Sequence, residues 1–222
     1  MSNYPTDGSA VIRIYASNAD ARIFISDTYK ATSWALIDLC TYKEFIEPLR
    51  AEIRSTFQSN HQNPYDRLYL MDSFLRESSR MNPLDGLTVQ RKALKPFTFS
   101  DGSHIPAGNL VSIPQRVVMN DPARYTSPQK FDPLRYMKSR TDPSAATTKY
   151  ADVNWDYTFW GSPRKSCPGR WYASYALKYV LVHLLTNYDL ELVRPDTPKY
   201  FIWTTAIVPR SDVFISLKKR TV

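Results

Sequence analysis

The arrangement of apolar and polar positions predicts three helices in the first part of the chain. Residues 20–41 are largely apolar, and their spacing approaches the helical period only in the second part of the segment. Residues 43–57 follow an amphipathic pattern, with Pro48 near the first turn, where a helix tolerates proline. Residues 66–81 carry their apolar side chains on one face, and Pro83 ends the pattern.

The pattern changes in the middle of the chain. Residues 87–119 alternate short β-prone runs with turn signals, which predicts a small sheet, and residues 120–160 are rich in Pro, Asp and Ser, which predicts an irregular loop. An apolar run over 169–187 predicts a helix buried on several faces, and residues 200–217 are predicted to form strands. The expected fold class is mainly α with a minor β part, in a single domain spanning residues 1–222.

Composition and charge limit the classes of protein to which this chain can belong. With 222 residues, 43% of them hydrophobic, the chain can bury a sizeable core. The net charge of +8 is spread without a long block of one sign, so we expect an acidic partner or an anionic cofactor and no nucleic-acid partner. Two cysteines exclude a disulfide framework.

Membrane-spanning and secretory segments are not predicted. No apolar run reaches the roughly 18 residues that a spanning helix needs, and residues 1–10 are too polar for a signal peptide. The sequence therefore predicts a chain that is soluble or attached to a membrane surface.

Cys167 is the residue on which a chemical function most depends. It lies in FWGSPRKSCPGRWYA, residues 159–173, just before the long predicted helix. The start of a helix carries partial positive charge, and Arg164, Lys165 and Arg170 add full charges, so these surroundings favour a thiolate. Such a thiolate has three uses: a covalent nucleophile, a redox thiol or the single axial ligand of a metal cofactor.

The other residue types in the chain limit these uses. A cysteine protease needs a partner histidine, and nothing ties any of the three histidines to Cys167. A zinc site needs further cysteine or histidine ligands nearby, and the sequence has none there. Two roles remain for Cys167: it binds a metal that is held mostly by its own macrocycle, or it is a buried structural cysteine.

Three short segments form an ordered set. Glu77-x-x-Arg80 lies on a predicted helix, where its spacing lets the charges pair, although such a pair alone is usually a solvated helix face. SPQKFDPLRY follows and includes Arg135, and residues 167–170, CPGR, end the set. Together they resemble the motifs of cytochromes P450: Glu-x-x-Arg, Pro-x-x-Phe-x-Pro-x-Arg and the haem-binding loop Phe-x-x-Gly-x-Arg-x-Cys-x-Gly. The resemblance covers roughly residues 22–217 and is greatest to filamentous-fungal members of secondary metabolism.

The loop differs from the family pattern at three positions before the cysteine. Trp160 stands at the Phe position, Pro163 at the Gly position and Lys165 at the Arg position. Lys165 can still pair with a haem propionate as a point charge, whereas Pro163 replaces a flexible residue by one of fixed φ.

The resemblance implies the C-terminal half of the P450 fold, with a haem-thiolate loop at residues 159–170. Cys167 is then the axial ligand of the iron of haem b, and Lys165 and Arg91 are partners of its propionates. A surface role for Arg91, beside Lys92, is an equal alternative.

A structural role is implied for Glu77, Arg80 and Arg135. In the family these residues form a buried network that supports the fold around the haem and does no chemistry. An arginine can bond a carboxylate through two parallel N–H groups, so we expect Glu77 to be held from both sides.

Proton delivery is the role that the resemblance implies for Asp27 and Thr28 in the central helix. A carboxylate beside a hydroxyl can relay a proton to bound dioxygen. Phe24 and Ile25 stand where the family has a small Ala or Gly, and a solvated turn of helix is an equal alternative for the pair.

The function implied is that of a haem-thiolate monooxygenase, which inserts one oxygen atom from O2 into a small, largely apolar substrate. The thiolate donates electron density to the iron and favours O–O cleavage. The expected partner is a flavoprotein of the NADPH-cytochrome P450 reductase type, attracted by Arg164, Lys165 and Arg170.

The alternative is a truncated, non-catalytic relic that lacks a closed pocket for haem and substrate, since family domains are longer than this chain. The endoplasmic reticulum membrane is the location expected for a full-length relative, and this chain shows no anchor.

Overall fold

The computed structural model of the chain describes residues 10–13, 23–59, 61–137 and 148–221. Its helices are α1 (Ile23–Thr41), α2 (Ile46–Gln58), α3 (Tyr69–Met81), α4 (Gln115–Val118) and α5 (Arg170–Asn187). Its strands are β1 (Ala10–Arg13), β2 (Thr88–Lys92), β3 (Phe97–Thr98), β4 (His104–Ile105), β5 (Leu110–Ile113), β6 (Gly161–Ser162), β7 (Lys165–Ser166), β8 (Tyr188–Leu192), β9 (Tyr200–Trp203), β10 (Ala206–Pro209) and β11 (Phe214–Lys219). The predicted fold class, mainly α with a minor β part, is confirmed.

The central helix α1 is buried along much of its length. The predicted segment 20–41 is helical over Ile23–Thr41, and residues 20–22 lie outside the described part of the chain. Every residue from 33 to 40 is buried, because α3, α5 and β8 pack around the helix. A helix that is covered on all sides needs no polar face, which explains the irregular apolar spacing in the sequence.

The next two helices each follow a 3₁₀ turn. The predicted helix 43–57 consists of the turn Lys43–Phe45 followed by α2, and the predicted helix 66–81 consists of the turn Pro64–Arg67 followed by α3. All residues from 71 to 80 of α3 are buried, so its charged face is buried together with its apolar face. The amphipathic pattern therefore predicts the helix but not its full burial.

Helix α2 caps the start of α3. The Glu52 carboxylate accepts hydrogen bonds from the backbone N–H groups of Leu70 at 2.6 Å and Met71 at 3.0 Å. The first turn of a helix leaves such N–H groups without an intrahelical partner, so Glu52 satisfies them from a neighbouring helix.

The region 87–119 is two separate antiparallel pairs and not the single small sheet that the sequence predicts. β2 pairs with β5, with Lys92 opposite Leu110, and β3 pairs with β4. The β3–β4 pair lies within the connection between β2 and β5, so the two pairs form one long projection. A turn-rich sequence predicts the strands but not how they are partnered.

A three-stranded antiparallel sheet, in the order β1–β11–β8, packs against α1 through β8. Ile215 in β11 lies opposite both Ile12 and Leu192. The strands predicted at 200–217 correspond to β9, β10 and β11. The sequence patterns do not predict β8, because it follows the apolar helix α5 without an intervening turn residue, or β1.

The β9–β10 hairpin is fastened to the segment that follows α3. The backbone N–H of Gly86 donates to the Thr205 carbonyl oxygen at 2.6 Å, and the Thr205 hydroxyl donates to the Asp85 carboxylate at 2.6 Å. A Cβ on residue 86 would lie 2.5 Å from the Thr205 oxygen, so only glycine permits this contact.

Helix α5 is exposed along one face, which corrects the prediction that it is buried on several faces. Its inner face packs on α1 and α2 through Leu177, Leu181 and Leu185, whereas Tyr172 and Tyr179 are exposed. Tyrosine carries a large apolar ring with a polar hydroxyl and tolerates contact with water, so counting it as apolar overestimates burial. Among the described residues, no helix combines the length and apolarity needed to cross a bilayer.

A buried carboxylate joins α1 to α3. Asp38 accepts hydrogen bonds from the Ser78 hydroxyl at 2.6 Å and the Asn82 amide at 3.1 Å. Burial raises the pKa of Asp38 to about 7, while the Ser78 hydrogen bond and the charge of Lys199 lower it and the charge of Glu77 raises it.

We predict that Asp38 makes the chain less stable as the pH rises. The pKa of Asp38 is raised from 3.8 to about 7 in the folded chain, so the folded state binds the Asp38 proton more tightly than the unfolded state does. The resulting contribution to stability is fully present below pH 3.8 and is lost as the pH rises through about 7. Urea unfolding should show a contribution from Asp38 of at most about 1.4 kcal/mol per pH unit across this range. Asp38→Asn should flatten the pH dependence, whereas Asp196→Asn, at an exposed carboxylate, should not. Equal slopes in Asp38→Asn and the wild type would contradict the prediction.

Candidate active site

A cavity of about 240 Å³ lies between α1 and α5, beside the cysteine loop. It brings Cys167 together with Asp27 and Thr28, although about 140 residues separate them along the chain. The remaining walls are mostly apolar or small: Ala31, Leu84, Phe159, Trp160, Gly169, Ala173 and Leu177. The cavity therefore joins one sulfur atom to one carboxylate and one hydroxyl in largely apolar surroundings.

The cysteine loop is a tight hairpin. β6 and β7 pair across a two-residue turn formed by Pro163 and Arg164. Gly161 has a φ of +94°, and a Cβ there would lie 2.6 Å from the Lys165 carbonyl oxygen. The positive φ that the hairpin needs is therefore supplied by Gly161, and Pro163 occupies a turn position compatible with its fixed φ. The Cys167 N–H donates to the Trp160 oxygen at 2.7 Å and ends the hairpin.

Aromatic rings support the cysteine loop from behind. The Trp160 indole N–H donates to the Tyr150 carbonyl oxygen at 2.8 Å, and the two rings lie 5.1 Å apart. The Phe159 ring stacks on the Tyr157 ring, with their centroids 6.0 Å apart. The Arg76 guanidinium lies 3.8 Å from the centroid of the same Tyr157 ring. The sequence does not predict this support, because the stacking depends on segments that no local pattern relates.

Helix α3 also holds the irregular loop. The predicted loop 120–160 contains no helix or strand in its described parts, 120–137 and 148–160. Arg76 donates through Nη1 to the carbonyl oxygens of Lys149 at 3.1 Å and Asp152 at 2.7 Å. The loop is thus ordered by bonds to a helix and not by secondary structure of its own.

The basic residues around Cys167 do not line the cavity. Arg164 and Lys165 are exposed at the hairpin turn, whereas Arg170 donates to the carbonyl oxygens of Cys167 at 3.0 Å and Ala151 at 3.2 Å. Arg170 therefore supports the loop backbone.

Arg91 is likewise exposed and outside the cavity lining. It donates to the Gln90 carbonyl oxygen at 2.7 Å. Its strand, β2, runs beside β6, so Arg91 belongs to the surroundings of the loop.

Asp27 and Thr28 reach the cavity from the first turns of α1. Ala31 shares their face because it follows at helical spacing, and this relation was available from the sequence. The Asp27 carboxylate is 47% exposed and lies 3.9 Å from the Lys30 ammonium group. Phe24 and Ile25 have helical backbone, and their side chains are outside the described part of the chain.

Glu77 is the centre of a buried charge network. Arg80 donates to its carboxylate through Nε at 2.7 Å and Nη2 at 2.9 Å. The Arg135 Nε lies 3.3 Å from the same carboxylate, and the Asp132 N–H donates to it at 3.0 Å. Glu77 and Arg80 are both 0% exposed, so the carboxylate is held on two sides without water contact.

The network extends from α3 to the loop. The Arg80 Nη1 donates to the Met119 carbonyl oxygen at 2.8 Å. The Tyr125 ring lies 5.1 Å from the Arg80 guanidinium and 5.8 Å from that of Arg135, within the range of cation–π contacts. None of these residues lines the cavity, so the geometry gives the network a structural role.

The donor set of the cavity fits a haem. A haem brings four nitrogen donors and needs one ligand from the protein, and Cys167 offers a single sulfur atom. The apolar walls suit a flat macrocycle, and the small side chains of Ala31 and Ala173 take up little of the space between them. Among the described residues, no group of three or more His, Cys, Asp or Glu side chains is placed to hold a bare metal ion.

Comparisons with known proteins point to one family. The family model described as Cytochrome P450 matches residues 26–214. The chain is 34% identical over 189 residues to the cytochrome P450 monooxygenase terQ of Tolypocladium album, covering 83% of this chain and 34% of that protein. It is 38% identical over 166 residues to the dihydromonacolin L monooxygenase LovA of Aspergillus terreus, covering 73% and 31%. It is 32% identical over 211 residues to the cytochrome P450 monooxygenase paxQ of Penicillium paxilli, covering 92% and 41%.

The fold is similar to that of a solved structure, the cyanobacterial CYP120A1 with bound retinoic acid. The TM-score is 0.70 at 23% sequence identity, over 87% of this chain and 42% of that chain. The chain spans about a third of the length of the curated relatives it matches first.

We predict that Glu77→Gln destabilises the fold strongly. Arg80 would remain buried without its countercharge, and loss of one partner of a buried ion pair costs about 3–5 kcal/mol of unfolding free energy. Urea unfolding at one pH measures the change. Glu191→Gln is the control, because this exposed residue pairs with Lys43 at 2.8 Å and should cost less than about 1 kcal/mol. A similarly small change in Glu77→Gln would contradict the prediction.

Proposed function

The chain belongs to the cytochrome P450 family, and from that premise we propose that it forms the thiolate-bearing part of a haem monooxygenase. The reaction is the insertion of one oxygen atom from O2 into a small, largely apolar organic substrate. Fungal relatives that are named as monooxygenases support this reaction class and support a role in secondary metabolism.

The observation that carries the proposal is the cavity between α1 and α5. Cys167 lies on its α5 side and the pair Asp27 and Thr28 on its α1 side, so a flat group between the helices would have the sulfur on one face and the polar pair on the other. This arrangement suits a reaction in which the protein ligates a metal on one face and delivers protons on the other.

Each residue then has a defined task. The Cys167 thiolate would hold haem b through its iron, and the haem would supply the activation of O2. Lys165 and Arg91, which are exposed outside the cavity lining, would pair with the carboxylates of the haem, and Lys165 would do so as a point charge. Asp27 and Thr28 move protons towards the cavity, and Phe159 and Leu177 exclude water from it.

The proposed electron donor is an NADPH-cytochrome P450 reductase-type flavoprotein. Arg164 and Lys165 are exposed at the turn of the cysteine hairpin, next to the ligand. An acidic protein would be attracted to this turn, and complementary charge chiefly raises the rate of encounter.

The second candidate is a relic of a P450 without catalysis. The half-exposed Asp27 carboxylate beside Lys30 favours it, because a solvated ion pair is a poor proton relay. In this case the fold and the Glu77 network persist while the cavity lacks a bound cofactor.

We predict that the purified chain with added haem, reduced and exposed to carbon monoxide, shows the red-shifted Soret band of thiolate ligation. Cys167→Ser should abolish the band, because a serine hydroxyl does not replace the thiolate electron donation. Cys40→Ala is the control, since Cys40 is buried between helices and does not line the cavity. Absence of the band in the wild type, or its persistence in Cys167→Ser, would favour the relic.

We also predict that Thr28→Val retains the carbon monoxide spectrum but couples the consumption of NADPH less well to oxygenation of the substrate. Valine keeps the shape of threonine and removes its hydroxyl, so proton delivery is impaired while Cys167 is untouched. With a flavoprotein reductase and NADPH, more of the reducing equivalents should leave as hydrogen peroxide. Thr32→Val serves as the control, because Thr32 is on the same helix and does not line the cavity. An unchanged peroxide yield would refute a relay through Thr28.

A further inference from the structure

A pocket of about 430 Å³ lies where the C-terminal end of α3 meets α4 and the β9–β10 hairpin, and we call it the α4 pocket. None of the described residues that line it lines the cavity beside Cys167, so the two sites are separate. Sites for small molecules usually have volumes of roughly 300–1,000 Å³, so the α4 pocket is large enough to hold a ligand of its own.

The α4 pocket is positively charged. Arg116 is the single charged residue among the described residues that line it. The Arg116 side chain is exposed and makes no hydrogen bond or ion pair with any residue that the structure describes. A guanidinium group carries a permanent positive charge and five N–H donors, so this wall of the pocket offers unused donors to an anion.

Three carboxamide side chains supply further polar atoms: Asn82, Asn120 and Gln129. The Asn82 amide donates to the Asp38 carboxylate at 3.1 Å, and the Asn120 amide donates to the Arg116 carbonyl oxygen at 2.9 Å, so both side chains are held in place. The Gln129 side chain has no hydrogen-bond partner within the described ranges of the chain. Its amide therefore offers both a donor and an acceptor to a ligand.

The rest of the lining is apolar or aromatic. Met81, Val117 and Ile207 contribute apolar side chains from α3, α4 and β10. Ile207 is buried and Val117 is 66% exposed, so the apolar wall extends from the interior of the pocket to its rim. The Tyr200 ring of β9 also lines the pocket and packs against the Trp34 ring at 5.9 Å. The pocket thus combines one cationic side, uncharged polar groups and an apolar wall.

We propose that the α4 pocket binds a small organic carboxylate with an apolar body. The carboxylate pairs with the Arg116 guanidinium through two parallel N–H groups. The apolar body lies against Met81, Val117 and Ile207, and Gln129 bonds a further oxygen atom of the ligand.

The charge of the lining favours a carboxylate over a phosphate. A phosphate group carries close to two negative charges near neutral pH, whereas the pocket has one arginine and no second cation among its described lining residues. A carboxylate carries one charge on two oxygen atoms, which matches a single guanidinium. The inference does not depend on haem binding, because the two sites share no described lining residue.

Three probes of similar shape test the charge preference: benzoate, benzyl alcohol and benzylamine. We expect calorimetric titration of the purified chain to show the tightest binding for benzoate, and weaker binding in high salt because exposed charges are screened. Arg116→Gln should weaken benzoate binding by roughly tenfold or more, because a hydrogen bond between charged groups is lost. The matched control is Arg54→Gln, at an exposed arginine of α2 that does not line the pocket, and its affinity should stay near that of the wild type.

Charge reversal gives a second comparison. Arg116→Glu should bind benzylamine more tightly than benzoate, whereas Arg54→Glu should keep the wild-type order of the probes. Thermal unfolding checks that each variant is folded. Both arginines are exposed, so these variants should melt near the wild-type temperature.

Methyl NMR on the wild type locates the bound probe. Benzoate should shift the methyl resonances of Met81, Val117 and Ile207, which line the α4 pocket. The methyl resonances of Leu84 and Leu177, which line the cavity beside the cysteine loop, should stay unchanged.

Four results would overturn the proposal: no binding of benzoate, equal affinity for the three probes, equal losses in Arg116→Gln and Arg54→Gln, or shifts confined to Leu84 and Leu177. Inorganic phosphate serves as the competing anion. If it binds more tightly than benzoate and Arg116→Gln abolishes that binding, the carboxylate proposal is also overturned and the pocket is assigned to a phosphorylated ligand.

Discussion

A buried carboxylate on α3 constrains the fold around the candidate site. Glu77 is shielded from water, and a buried charge is tolerated only when cations and N–H groups surround it. The cations and N–H groups around Glu77 come from Arg80 of the same helix and from the segment Asp132 to Arg135 of the irregular loop. The loop has no strand or helix in its described parts, so this carboxylate substitutes for secondary structure as the organiser of the chain there.

The same helix repeats this device at other positions. Asp72 pairs with Lys178 of α5 at 2.6 Å, and Arg76 binds the backbone on either side of Tyr150. From Arg76 the contacts continue through the Tyr157 and Phe159 rings to the cysteine hairpin. Helix α3 thus contributes no group to the cavity and still determines where its walls stand.

Particular residues show which features of the structure a sequence can predict and which it cannot. Cys167, Glu77, Arg80 and Arg135 were recognisable because each belongs to a short motif with fixed spacing, and the family that those motifs indicate is confirmed. Tyr157 and Leu84 belong to no motif; their positions follow from packing between distant segments. The exposed face of α5 was mispredicted because tyrosine rings count as apolar in a pattern and yet accept water. Among the described strands β1 pairs only with β11, nearly the whole chain away, and its own sequence holds no sign of that partner.

The contact between Gly86 and Thr205 has a consequence for the cavity wall. The tip of the β9–β10 hairpin is bonded to Asp85 and Gly86, and Leu84, directly before them, forms part of the cavity wall. Glycine leaves no side chain between the two backbones, so they approach closely enough for a direct hydrogen bond. Leu84, Asp85 and Gly86 therefore link the tip of the hairpin directly to the cavity wall, at a place separate from the cysteine loop and from α1, which carry Cys167 and Thr28.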